Sequence, residues 1–324
     1  MNDKKIYDTH FSELRKIVAN SWLLKPTPLY WIKNLIIFIW LYFLWLLFVD
    51  KLNIFLVIIY YYILTVELWF ISHDLIHNQY FKNNKINSFF SLITWNMLIW
   101  LSASWWRKKH NVEHHTFTNS DIHDTDIRDY DEIFTKNEWK SKFFDKHKVY
   151  LFWIVISVLY FNLIFLSYKH IIKNKLYLEL LLSLVYFAIL PLILFLSYWV
   201  VITILSLLAI YVLVWVHLAF SFMVNHIWME IIDWNEVTKY SWFDLQTRTS
   251  RNVKWWLIIN HIFWWLNKQV EHHIFPSVSR WNILKLSKIV KEYCHDNNIK
   301  YHDVSFFDSL KEIYNTLKTW ETIK

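Results

Sequence analysis

Seven histidines of this 324-residue chain are grouped in three short clusters. The clusters are His73 with His77, then His110, His114 and His115, then His272 and His273. Residues four positions apart lie on the same face of a helix, so His73 with His77 and His110 with His114 can point at one ion. Neutral imidazole is the commonest metal-ligand side chain. The spacing therefore predicts a metal site.

The number and type of these ligands narrow the choice of metal. Nitrogen ligands suit zinc, copper, iron or nickel. A closed structural zinc site needs four ligands, which seven histidines exceed, so two metals are the simpler count. For a redox pair the sequence favours iron, because iron held by imidazoles can keep a coordination position open for oxygen. A purely structural role for all three clusters is the less favoured alternative.

The elements that must position these histidines are apolar and long. Hydrophobic residues make up 56% of the chain and come in runs, a pattern typical of a membrane protein. Four runs are long enough to cross a hydrocarbon core of about 30 Å: Tyr30–Val49, Leu52–Ile71, Leu176–Leu196 and Trp199–Met223. If all clusters face one side, two further runs must be interfacial or re-entrant: the shorter run Phe89–Ala103, and Val149–Tyr168, which precedes the basic segment Lys169–Lys175.

The predicted fold is an all-α integral membrane protein with four transmembrane helices, interfacial or re-entrant helices and a cytosolic helical cap. A single domain over residues 1–324 is expected. Its parts are a cytosolic lead-in (1–28), a transmembrane hairpin (30–71), the first two clusters (72–148), a second hairpin (176–223), and the third cluster with the cap (224–324).

Charge and cysteine content limit the possible partners and compartment. The net charge of +7 comes mostly from lysines near the ends of the apolar runs, which favours cytoplasmic loops facing anionic lipid over a nucleic-acid groove. The single Cys294 excludes an internal disulfide framework and a thiolate iron–sulfur site. The first 28 residues lack a cleavable-signal pattern. We expect a multi-pass protein of a bacterial inner membrane, with its histidine clusters on the cytoplasmic side.

The three clusters resemble the histidine boxes of the membrane fatty acid desaturase superfamily. The signature of that superfamily is HxxxH, then HxxHH or HxxxHH, then HxxHH or QxxHH, and here the boxes are His73–His77, His110–His115 and Gln269–His273. The segments Ser102–Trp106 and Ile274–Pro276 are also similar. The glutamine in the third box is typical of the front-end and linoleoyl-CoA-type branch.

The resemblance implies a ligand set, cofactors and partners. The implied iron ligands are His73, His77, His110, His114, His115, His272 and His273, with Gln269 in the position that is histidine in other branches and His226 as an extra ligand before the third box. Two iron ions and molecular oxygen would introduce a cis double bond into a lipid-bound or CoA-bound acyl chain. No cytochrome b5 domain precedes the first span, so two electrons are expected from an external ferredoxin or cytochrome b5.

Some alternatives stay open at this stage. A fatty acyl or sphingolipid hydroxylase of the same superfamily would share the ligands, and a non-catalytic metal-binding or transport protein would place histidines inside the spans. The carboxylates Asp74, Glu113 and Glu271 either orient imidazoles or are exposed helix charges. We interpret His217, inside an apolar run, as a hydrogen-bonded core histidine.

The composition has one anomaly. The chain has no glycine and 22 tryptophans, whereas average usage predicts about 23 glycines. Tryptophan stands where the resembled family has glycine, at Trp69, Trp100, Trp228, Trp264 and Trp265. We hypothesise that most tryptophans are glycine in the natural protein, through UGA codons that are read as glycine. The alternative is a glycine-free design.

Overall fold

The computed structural model of the protein describes residues 3–126, 142–227, 229–254 and 257–319. These residues are mainly helical, which confirms the predicted all-α membrane fold. The α-helices are α1 (Asp3–Asn20), α2 (Pro28–Phe48), α3 (Ile54–Ile76), α4 (Asn84–Leu92), α5 (Ala103–Trp106), α6 (Lys142–Lys173), α7 (Tyr177–Ser197), α8 (Val200–His226), α9 (Trp234–Val237), α10 (Trp242–Thr249), α11 (Leu257–Ile262), α12 (Gln269–Ile274), α13 (Ile283–Asp296) and α14 (Phe306–Thr319).

Shorter elements connect these helices. Two π-helical stretches, Ile93–Ile99 and Arg107–His114, follow α4 and α5, and a 3₁₀ turn, Arg280–Asn282, precedes α13. Two three-residue strands, β1 (Asn252–Lys254) and β2 (Asp303–Ser305), pair in parallel. The sequence did not predict these strands, because three residues are too few to show an alternating pattern.

Within the described ranges, α2, α3, α7 and α8 are the four unbroken helices long and apolar enough to cross a membrane. They match the four predicted spans to within a few residues. Their outer faces carry large exposed apolar side chains, such as Trp40 and Phe195, which suits contact with lipid. The two bent helix pairs Asn84–Ile99 with Ala103–His114 (111°) and Val149–Ser157 with Leu159–Lys173 (46°) are broken spans or re-entrant loops. The interfacial or re-entrant assignment of these runs therefore stays a prediction.

Two helix ends differ from the prediction. The predicted span Leu52–Ile71 ends before His73 and His77, but α3 continues to Ile76, so His73 lies in its last turn and His77 is its C-cap residue. Helix α8 likewise continues to His226. Both extensions add buried residues to the helix, and no proline interrupts either segment. The ends of apolar runs therefore underestimate the length of these helices.

The chain divides into two compact units. The first comprises residues 1–25, 108–153 and 220–324, and the second comprises residues 26–107 and 154–219. In the first unit, α1, α10, α12 and α13 share an apolar core that includes Leu14, Phe243, Val270 and Leu286. In the second unit, Trp31 of α2 packs with Ile71 and Leu75 of α3. The expected single desaturase domain stays a prediction.

Four tryptophans adopt a backbone conformation that suits glycine. Among the described residues, eight have positive φ, and half of these are tryptophans: Trp22 (64°), Trp100 (61°), Trp264 (48°) and Trp265 (60°). A bulky residue with positive φ is an outlier, whereas glycine adopts this conformation readily. Trp100 also ends a helical stretch in the left-handed conformation, a position where glycine is strongly preferred. The backbone thus supports the glycine hypothesis at three of its five named positions. Trp69 lies inside α3, and Trp228 is outside the described residues.

Candidate metal centre

Three imidazoles of the first unit converge on one point. The metal-binding atoms of His114, His226 and His273 all lie within 4.8 Å of one another. Each residue is buried, with at most 6% of its surface exposed. His114 is contributed by the second box, His226 by the last turn of α8, and His273 by α12. Buried imidazoles gathered in this way suit a transition-metal ion.

The Nδ1 atom of each of these rings makes a hydrogen bond that fixes the orientation of the ring. His114 Nδ1 donates to Asp124 Oδ2 at 2.9 Å, and His226 Nδ1 donates to the Thr249 carbonyl at 3.1 Å. His273 Nδ1 lies 2.9 Å from Gln246 Oε1. A carboxylate or carbonyl oxygen only accepts, so the Nδ1 atoms facing these groups carry the proton and Nε2 keeps its lone pair. This is the protonation state that a metal-binding imidazole needs.

The Gln246 amide has a fixed orientation. Its Nε2 donates to the His115 carbonyl at 3.0 Å, and its Oε1 accepts from Thr118 Oγ1 at 2.9 Å. The oxygen therefore faces His273. Gln246 is completely buried, so this orientation is held by the protein rather than by solvent.

Gln269 of the third box lies beside the converging nitrogens. Its Nε2 is 3.1 Å from His226 Nε2 and 3.2 Å from His273 Nε2. Its Oε1 is buried, and none of the described groups donates to it. A half-turn of the amide would exchange its oxygen and nitrogen and bring Oε1 to the same point as the imidazole nitrogens. An ion at that point would have three nitrogen ligands and one oxygen ligand within reach.

Three further histidines of the first unit adjoin this triad. His110 Nε2 and His115 Nε2 are 3.2 Å apart, and the His115 ring stacks on His273 with centroids 4.3 Å apart. The His272 ring lies 4.8 Å from the His115 ring. The second and third boxes thus form one continuous group of buried imidazoles.

The first box lies in the second unit and forms a pair of its own. The rings of His73 and His77 have centroids 4.6 Å apart, and both residues are buried. Asp74 is fully buried and accepts from Tyr80 at 2.7 Å, while His73 Nδ1 lies 3.4 Å from its other oxygen. Asp74 therefore fits the orienting role better than that of an exposed charge.

The other two carboxylates of the boxes behave differently. Glu113 is partly exposed and pairs with Lys108 at 3.6 Å, which fits a helix surface charge better than an orienting role. Glu271 is completely buried and accepts from Tyr301 at 2.6 Å and from Asn252 at 2.8 Å. Burial raises the pKa of Glu271, and these hydrogen bonds oppose the rise. Glu271 thereby anchors α12 to the strand segments.

His217 is hydrogen-bonded in α8, as predicted. Its Nδ1 lies 2.6 Å from the hydroxyl of Tyr62.

The sequence did not identify the groups that hold the rings. Asp124 lies in a stretch of the sequence rich in acidic residues, which is typical of a solvent-exposed segment, but it is completely buried and also accepts from the Asn119 backbone N–H at 2.9 Å. No sequence pattern predicted that Gln246 and Thr249 contact the imidazoles, because these contacts arise only when α10 packs beside the boxes. Asp124 had only one hint, its position ten residues after His114.

Removing the Asp124 carboxylate will weaken metal binding. We expect Asp124→Asn to lower iron affinity about 10- to 100-fold, because both carboxylate oxygens accept hydrogen bonds, whereas the amide has one acceptor oxygen and no negative charge to orient His114. Competition with a calibrated chelator measures the change. Asp296→Asn is the matched control, since its side chain is 75% exposed. Equal iron affinity in both variants would contradict the orienting role.

Fold and site together define a class of protein. The chain has four apolar helices able to cross a membrane, and buried histidine groups suited to a metal. The family model for fatty acid desaturases matches residues 51–305, most of the chain. This membrane protein therefore belongs to the fatty acid desaturase family.

Several curated proteins are similar to the chain. The Delta 8-(E)-sphingolipid desaturase of Komagataella phaffii is 27% identical over 78% of the chain and 51% of its own length. The Delta(8)-fatty-acid desaturase 1 of Arabidopsis thaliana is 24% identical over 79% of the chain and 61% of its own length. The Delta(6)-fatty-acid desaturase of Caenorhabditis elegans is 25% identical over 74% of the chain and 58% of its own length. The chain thus spans about half to three fifths of these relatives. No solved structure matches it.

Proposed function

We propose that the protein is a di-iron, oxygen-dependent desaturase that introduces a cis double bond into a fatty acyl chain. The observation that carries the proposal is the convergence of His114, His226 and His273 beside Gln269. The proposed ligands of the two iron ions are these four residues together with His73, His77, His110, His115 and His272.

Bound iron would supply oxygen activation, which no side chain provides, and thereby permit removal of hydrogen from an unactivated methylene. The residues of the chain would orient the ligands and exclude water. Asp124, Gln246 and the Thr249 carbonyl hold three imidazoles with Nε2 facing inwards. The burial of these residues keeps bulk water from the centre.

The relatives and the apolar helices support the proposed substrate class. The similar proteins are named as fatty-acid and sphingolipid desaturases, which supports an acyl chain carried by a membrane lipid or by CoA. Removal of two hydrogens with reduction of oxygen to water takes up two further electrons. We propose that an external carrier of the ferredoxin or cytochrome b5 type supplies them.

We propose that the histidine boxes face the cytoplasm. The basic segment 169–175, which comprises the end of α6 and the start of the turn to α7, supports this orientation, because cytoplasmic segments carry an excess of lysine and arginine. A bacterial inner membrane remains our proposed location.

Expression of the chain tests the function directly. The host should lack polyunsaturated lipids. Two forms of the protein should be expressed, one with tryptophan and one with glycine at positions 69, 100, 228, 264 and 265. We expect a new double bond in the fatty acid profile and bound iron in the purified protein. A hydroxylated fatty acid would indicate the hydroxylase alternative. Unchanged lipids with no bound iron would refute the proposal.

A further inference from the structure

The end of α8, which carries His226, is capped by an arginine from a later part of the chain. The last four carbonyls of an α-helix have no donor within the helix, so other groups must satisfy them. In α8 these are the carbonyls of residues 223–226. Arg251 Nε donates to the Val224 carbonyl at 2.7 Å, and the Arg251 backbone N–H donates to the Asn225 carbonyl at 3.1 Å. One residue thus satisfies two of the four carbonyls directly before His226.

The charge of Arg251 is suited to this position and is neutralised by α14. A positive charge is favourable at the carboxyl end of a helix, where the carbonyl dipoles leave partial negative charge. Only 1% of the Arg251 side chain is exposed, and a charge held out of water needs a partner of opposite sign. Glu312 of α14 supplies it, because its carboxylate accepts from Arg251 Nη1. The guanidinium is therefore held between α8 on one side and α14 on the other.

The residues on either side of Arg251 contact the candidate metal centre. The Thr249 carbonyl accepts from His226 Nδ1 at 3.1 Å. Asn252 Oδ1 accepts from the Val270 backbone N–H at 3.0 Å, in the helix α12 that carries the third box. Residues 249–252 thus join the His226 ring, the end of α8 and the third box. A shift of α8 relative to this segment would break the hydrogen bond that orients the His226 ring.

We propose that Arg251 is a positioning residue of the metal centre: by capping α8 it fixes the backbone of His226, so that the imidazole points its Nε2 at the ion. Glu312 holds the guanidinium in the orientation that this cap requires. The role rests on the proposed function, because it needs His226 to be a metal ligand. The contacts of Arg251 with α8 and α14 do not depend on that function.

The variant Arg251→Lys separates the helix cap from the ion pair. Lysine has a methylene where arginine has Nε, so it loses the donor to the Val224 carbonyl, while its ammonium keeps a positive charge opposite Glu312. The docking of α14 should therefore survive while the end of α8 is released. Glu312→Gln is the second variant, because it keeps the arginine and weakens only its ion pair. Its effect on metal binding should be smaller than that of Arg251→Lys.

Binding of Co²⁺ to the iron-free protein in detergent tests the role without requiring catalysis, by competition with a calibrated chelator. We expect Arg251→Lys to lower the affinity about ten-fold, and to lower it no further in a chain that already carries His226→Ala. The visible absorption of bound Co²⁺ should change in the same way in Arg251→Lys as in His226→Ala. Arg248→Lys is the matched control and should bind Co²⁺ like the parent, because Arg248 pairs with two other carboxylates, those of Asp244 and Glu230.

The outcomes separate the positioning role from the proposed function. Equal affinities of Arg251→Lys and Arg248→Lys for Co²⁺ would overturn the role and leave the function standing. An equal loss of affinity with and without His226 would also overturn it, because a defect of folding does not depend on that ring. Should Arg251→Lys fail to fold, the same two comparisons with Glu312→Gln decide. The expected affinities without any desaturation by the iron-loaded parent would support the role and count against the desaturase proposal.

Discussion

Replacing Trp264 and Trp265 by glycine will stabilise the protein. Both residues have positive φ, at 48° and 60°, directly before the third box. Left-handed backbone costs a residue with a side chain about 1–2 kcal/mol, and glycine removes this cost. We expect the double variant to unfold at a higher temperature in detergent, as measured by circular dichroism, and to hold more iron.

The control for this prediction is Trp281→Gly. Trp281 is 62% exposed and is absent from the positive-φ residues of the described chain, so glycine should give no gain there. An equal or lower unfolding temperature for Trp264→Gly/Trp265→Gly than for Trp281→Gly would contradict the prediction. Peptide mass spectrometry of the natural protein gives a second measurement. UGG codons at Trp69, Trp264 and Trp265 would refute the recoding hypothesis itself.

Replacing His273 by alanine will abolish the proposed desaturation. His273 belongs to the converging triad and also stacks on His115, so its loss removes a ligand and loosens its neighbour. We expect iron content to fall by at least half and product to fall below detection. Iron analysis of the purified protein and fatty acid profiling of the host measure the two effects.

His295→Ala is the matched control for the ligand prediction. The His295 side chain is 88% exposed and pairs only with the neighbouring Asp296 among the contacts of the described chain. Its iron content and activity should equal those of the parent. Full activity in His273→Ala would remove His273 from the centre, whereas loss of activity in His295→Ala would show that the assay reports folding.

The sequence predicted the features that depend on long or repeated patterns. The apolar runs gave the four spans, because about 20 consecutive apolar residues leave few alternatives to a membrane helix. Box spacing identified His114 and His273 before any geometry was known, and the chain context identified His226. These residues then met in one group of imidazoles.

The groups that depend on distant packing could not be predicted. Gln246 lies 27 residues before His273 and reaches it only because α10 packs against α12. In the sequence Asp124 resembles the acidic residues near it, and only the fold shows that it is buried and accepts a hydrogen bond from His114. The parallel ladder of β1 and β2 joins segments about 50 residues apart, beyond the reach of any local pattern.

The hydrogen bonds behind the three rings have a consequence for transplanting the site. Because the rings are already locked, an arriving ion meets ligands whose rotational freedom was lost when the protein folded. Part of the affinity for the proposed ion would thus come from the loop bearing Asp124 and from α10, outside the boxes themselves. A designer who copied only the three histidine motifs onto another helical bundle would obtain mobile imidazoles with weak affinity for iron. A transplanted site would therefore need the histidine boxes together with the residues that fix the orientation of their imidazoles.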